Sequence, residues 1–253
     1  MEMTPRVPPD WGKDSLSEFI ETARHNTIAT FVNLPNQYKI LENIHDVYKY
    51  ITDNLINTPE WFASFFLLRS DSAYLGGVRL AISGQCAETY MVLRGCIEAA
   101  VYGLYLSRNE ASRETWLNRH NDEESLRRVK NEFQIGKLFG FLKSVDPVIR
   151  EATVRLYDLT IDYGAHPNEL ALTSLLRRTQ EKDVVKFNLN YLSGDCPAFR
   201  LAVKTAAEVG LCSLYIFKNI YRERFSILGI DQKLDMLKTR LKRLMVKRTP
   251  HRT

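Results

Sequence analysis

Cysteine is scarce in this chain of 253 residues: there are four, and no two form a C-x-x-C pair. Cys86 and Cys96 stand ten positions apart on one expected helix, about 15 Å along its axis and out of disulfide reach. None of the four clusters with histidine as zinc ligands do, so all are read as small buried apolar residues, and no metal or other cofactor is expected. Long apolar runs are also missing. Ser83–Leu106 is interrupted by three charges and Leu211–Ile220 is too short, which argues against a membrane span. The first residues, MEMTPRVPPDWGKDS, lack the apolar core of a secretory signal. The expectation is a soluble, cytoplasmic protein with no membrane partner.

The common catalytic fingerprints are absent too. There is no G-x-x-x-x-G-K-[ST], G-x-G-x-x-G, G-x-S-x-G or H-E-x-x-H, which removes the sequence grounds for a P-loop NTPase, a dinucleotide-binding enzyme, an α/β-hydrolase or a zincin. His25, His45 and His251 have no metal-ligand spacing, and His45 falls on an amphipathic helix where a structural role fits.

What the chain does have is helical periodicity and enough apolar content, 45%, to bury a substantial core. The pattern predicts helices over 15–31, 35–56, from Thr58-Pro59 onward, 83–106, 112–120, 122–145, 146–163, 197–225 and 231–246, most opened by a capping residue or a first-turn proline. Gly76-Gly77 reads as a break or a point of close approach, and Gly164 as a helix stop. Around TQEKD the period changes: Val185, Phe187, Leu189 and Tyr191 alternate with polar residues, which predicts a β-hairpin within 169–194. The expected fold is mainly α: one domain with a helical-bundle core over 34–168, the hairpin, and C-terminal helices over 195–253.

The helix over 83–106, SGQCAETYMVLRGCIEAAVYGLYL, is apolar nearly all round, yet Glu88, Arg94 and Glu98 share one face. At about 100° per residue they fall within an arc of roughly 120°, together with Tyr102 and Tyr105. Buried charge is costly unless paired. Arg94 and Glu98 are four apart and can pair on the helix itself. The distant candidates lie in IDYGAHPN, 161–168, which offers Asp162, Tyr163 and His166. If the two blocks meet, an arginine, carboxylate and histidine cluster suited to acid/base work results. The same cluster would equally serve as a satisfied network pinning helices together.

The segment LRGCIEAAVYGLYL followed by LYDLTIDYGAHP resembles uncharacterised bacterial proteins of the HEPN-like helical-bundle kind, over roughly residues 76–168. The resemblance implies an antiparallel helical bundle, often dimeric. It also implies a role as accessory or effector in a bacterial defence, antiphage or toxin-like system, in some members as a metal-independent endoribonuclease. Such nucleases carry an arginine and a histidine with four to six residues between them. Arg113 and His120, with six residues between them, have that spacing, although Glu114 stands where the family commonly has Asn, Asp or His. In that reading the histidine acts on the RNA 2′-hydroxyl and the arginine stabilises phosphate charge.

Charge points to a second class of function. Residues 233–253 hold eight basic side chains against Asp235 alone, +7, which leaves the rest of the chain at −2 of the net +5. Leu234, Leu237, Leu241 and Leu244 form an apolar seam, with Lys242, Arg243, Lys247 and Arg248 among the basic residues around it. Such a helix can dock on its own domain or on a second subunit, and its basic face can take RNA or an acidic protein. The alternative to the defence-protein reading is therefore a non-catalytic helical interaction or scaffold protein whose polar cluster is structural.

Overall fold

The computed structural model describes residues 7–165, 169, 173, 176–181 and 184–246. The described chain is mainly helical. Its elements are α1 (Ser15–Asn33), α2 (Pro35–Asp53), α3 (Trp61–Ser83), α4 (Cys86–Arg108), α5 (Glu110–Leu117), α6 (Glu123–Glu132), α7 (Ile135–Val145) and α8 (Pro147–Thr160). A π-helical turn (Ile161–Ala165) follows, then β1 (Leu176–Glu181), β2 (Val184–Leu189), α9 (Pro197–Lys218), α10 (Arg222–Ile227) and α11 (Ile230–Val246).

The antiparallel pair α3 and α4 forms the centre, and glycine sets how closely the two helices approach. A Cβ on Gly77 would lie 2.5 Å from Leu93, and one on Gly103 would lie 2.9 Å from Phe66. The Gly76-Gly77 pair is thus a close-approach point, and α3 runs through it unbroken. Gly84, at φ 90°, closes α3 in the left-handed region that glycine tolerates. α9 packs across α4, α3 and α2, and α11 closes the far side against α2 and α9. Leu93, Ile97, Leu104, Leu214, Phe217 and Phe225 lie fully buried between these layers.

Three expected helices divide or shift, each for a visible reason. The 122–145 helix breaks at Phe133, whose ring stacks on Tyr102 at 5.5 Å while its carbonyl accepts from the Tyr102 hydroxyl at 3.2 Å. The 197–225 helix breaks at Asn219, whose amide donates to Asp146 Oδ2 at 3.3 Å and whose carbonyl accepts from Arg108 at 2.8 Å. α3 starts at Trp61 rather than at Thr58-Pro59, because the Thr58 hydroxyl donates to Glu60 Oε2 at 2.8 Å outside the helix. Gly164 does not simply stop α8. The chain continues through a π-helical turn, and a Cβ at Gly164 would sit 2.5 Å from the Ala87 carbonyl.

β1 and β2 pair antiparallel from Leu176↔Leu189 to Glu181↔Val184, so Thr179–Glu181 of TQEKD belong to the first strand. All of β2 is exposed, Phe187 at 67%.

Candidate functional site

The first turns of α4 are fixed by the π-helical turn, where Gly164 lets the Tyr163 ring pack against Tyr90 at 5.4 Å between ring centres, tilted by 33°. One and two turns further along α4, the Arg94 guanidinium Nε donates to Glu98 Oε1 at 2.8 Å. The same oxygen accepts from the Tyr157 hydroxyl on α8 at 3.1 Å, and the guanidinium carbon lies 5.1 Å from the centre of the Tyr157 ring. Carboxylate, cation and phenol thus satisfy one another across the α4–α8 seam.

The electrostatics follow from this geometry. Burial pushes the Tyr157 phenol up to about 12, with the Glu98 carboxylate adding to the shift. For Arg94, burial is the largest influence and opposes the charge, but the hydrogen bond and charge of Glu98 together with Tyr157 outweigh it and hold the guanidinium above its ordinary range. The Arg94 and Glu98 side chains keep 31% and 36% exposure, so they are half-buried rather than enclosed.

The other candidates are dispersed. Glu88 is half-buried on α4, and Asp162 is exposed in the π-helical turn. His166 lies outside the described residues. Arg113 on α5 places its guanidinium 5.6 Å from the centre of the Phe62 ring, and His120 is exposed past the end of α5. Tyr102 and Tyr105 extend the α4 face into an aromatic seam with Phe133 and Phe141. Lys242 and Arg243 are exposed on α11, and Lys247 and Arg248 lie outside the described residues.

Two polar arrangements escaped the sequence reading. Tyr157 sits in the LYDLTIDYGAHP segment, but its hydroxyl meets Glu98 only across the α4–α8 seam, and no local spacing announces that contact. On the opposite face of α4, Cys96 is not merely a small apolar residue. Its sulfur lies 3.2 Å from Ser70 Oγ, 3.4 Å from Ser213 Oγ and 3.7 Å from the Tyr48 hydroxyl. Cys86, Cys96 and Cys212 are buried, while Cys196 is only half-buried. His45 pairs through Nδ1 with Asp71 on α3 at 3.0 Å, and burial raises the Asp71 carboxyl above its ordinary value despite that bond.

Among the described residues, no three His, Cys, Asp or Glu side chains gather so as to hold a metal ion, and no helix is long and apolar enough to cross a membrane. No protein-family model, curated protein or solved structure matches the chain.

Proposed function

We propose that this chain is a HEPN-like helical-bundle protein that works by binding, as a dimeric accessory component of a bacterial defence or toxin-like system. The family and its biological setting rest on the sequence resemblance. The binding role rests on one observation, the outer face of α3. There Trp61, Phe65, Leu68 and Leu75 remain 42–56% exposed at helical spacing, with Ser72 between the last two, and apolar side chains grouped on one face in water mark an interaction surface. The stripe is self-complementary. Trp61 and Leu75 stand seven residues either side of Leu68, each about 10.5 Å along the axis. A two-fold antiparallel pairing centred on Leu68 sets Trp61 against Leu75 of a second copy and Leu68 against itself.

Leu68→Glu tests the pairing, because the position is exposed and a surface change leaves stability within about 0.5 kcal/mol. Sedimentation velocity on the full-length protein should show a dimer for the wild type and a monomer for the variant, with matching thermal unfolding. A wild type that stays monomeric at micromolar concentration overturns the proposal.

A metal-independent ribonuclease is the second reading, favoured by the place of Arg113. Its packing on Phe62, beside the Trp61 and Phe65 rings, brings α5 to the edge of the same stripe, and α5 leads into His120. A dimer formed through α3 would then flank its interface with the arginine and histidine that such a nuclease uses for phosphate stabilisation and proton transfer.

A further inference from the structure

A groove of about 500 Å³ runs between α8, α9 and α11, away from the α3 stripe. Its floor is apolar: Ile149, Leu156, Leu211 and Leu241 present carbon, and Ala152 leaves a dip among them. At its lip Val148 is 76% exposed, an aliphatic side chain with little to cover it. Its rim is cationic, with Arg155 from α8, Lys204 from α9, and Lys238 and Lys242 from α11.

Glu208 is the single carboxylate of the lining, and it is already shared between Arg155 and Lys204 at 3.7 Å each. Lys238 lies over the Tyr215 ring at 5.5 Å. The lining therefore sets four cations against one carboxylate around an apolar trough, with Asp235 beside it, bonded to the Tyr215 hydroxyl at 2.8 Å. Nucleic acid would match the charge but would leave the trough uncovered, since its charged backbone has no aliphatic stripe to bury. An amphipathic helix with an apolar face and acidic flanks satisfies both features at once, in the helix-in-groove manner.

We infer that this groove is a docking site for an acidic amphipathic helix of a partner protein. The basic residues of α11 serve it by fixing the orientation of the incoming helix, while the leucines beneath supply the contact. The site is independent of the α3 pairing, and a monomeric protein would still carry it.

The test is selection from a display library of 20-residue helices in which an apolar stripe is held constant and the flanking positions are drawn from Glu, Lys, Gln and Ser. The bait is the full-length protein. Glutamate should be enriched beside the stripe. An enriched peptide should bind at least about tenfold more weakly to Lys238→Glu/Lys242→Glu, whose changes are both at exposed positions. Ala152→Trp, which fills the dip, should weaken binding similarly, with thermal unfolding confirming that each variant is folded. Library output with no preference for glutamate, or peptides that bind the charge-reversal variant as well as the wild type, overturns the proposal. So does a 20-nucleotide RNA that displaces the peptide and whose own binding is lost in the charge-reversal variant but kept in Ala152→Trp, an outcome that assigns the face to nucleic acid.

Discussion

On one face of α4, Cys96 shares a fully buried pocket with Tyr48, Ser70 and Ser213, whereas two residues earlier, on the far face, Arg94 pairs with Glu98 beneath Tyr157 with about a third of each charged side chain still exposed. The inner cluster uses only neutral hydroxyls and a thiol. Burial raises the Cys96 thiol, and burial likewise raises the Tyr48 phenol, so both stay protonated where no water reaches. The outer cluster carries full charges and keeps them near solvent, where the desolvation cost is modest. One helix thus joins two helix–helix seams by different means, and the depth of each seam decides which chemistry it tolerates.

The sharpest way to break this contrast is to put a charge on the inner face. Cys96→Asp would strand a carboxylate among neutral partners, at an expected cost of about 3–5 kcal/mol. Urea unfolding should show that loss, or the variant should fail to accumulate as folded protein. Stability close to wild type would mean that water enters the seam.

Alkaline pH probes the same depth without mutation. Burial pushes the Cys212 thiol from 9.0 up to about 12, and a hydrogen bond with Thr153 offsets only part of this. The native pKa is raised, so the contribution is complete below pH 9, where both states hold the proton. It is lost as pH climbs from 9 towards 12, because the unfolded chain ionises first. The melting temperature should fall through that window, and Cys212→Ala should flatten the slope relative to wild type. Equal slopes would show that this thiol does not titrate differently on folding.

The outer cluster should matter least. Arg94→Met removes the ion pair and the cation over Tyr157 while keeping the aliphatic bulk, for a loss of about 1 kcal/mol at this exposure. That is about 2–4 °C in melting temperature for a chain of this size. A loss as large as that of Cys96→Asp would erase the distinction between the two faces.

Much of the fold is legible in the sequence because caps and apolar period are local signals. Asp14, Asp122 and Asp146 each accept backbone N–H bonds at the helix starts they mark, and the alternation around Phe187 does form a strand. The interruptions at Phe133 and Asn219 are not legible, because each depends on a partner distant in the chain: Tyr102 for one, Asp146 and Arg108 for the other.

The site follows the same rule. Arg94 and Glu98 are four apart and announce their own pairing, whereas Tyr157 joins them only through the packing of α8 on α4. Cys96 and Ser70 belong to residue types that most often signal nothing, so their network becomes visible only in three dimensions. Of the acid/base cluster anticipated from Arg94, Glu98 and His166, the described residues show Arg94 and Glu98 satisfied together with Tyr157, and His166 lies outside them.

The claim that this protein works by binding, with the α4 charges acting as a structural lock, is tested most directly by an RNA-cleavage assay. It would compare wild type, Arg94→Met, His120→Ala and His166→Ala in chelator-containing buffer, with thermal unfolding measured on the same preparations. The account predicts no cleavage above background by the wild type and a lowered melting temperature as the main consequence of Arg94→Met. Cleavage by the wild type that falls by about 10²-fold or more in His120→Ala or His166→Ala at unchanged melting temperature would contradict it and identify a catalytic histidine.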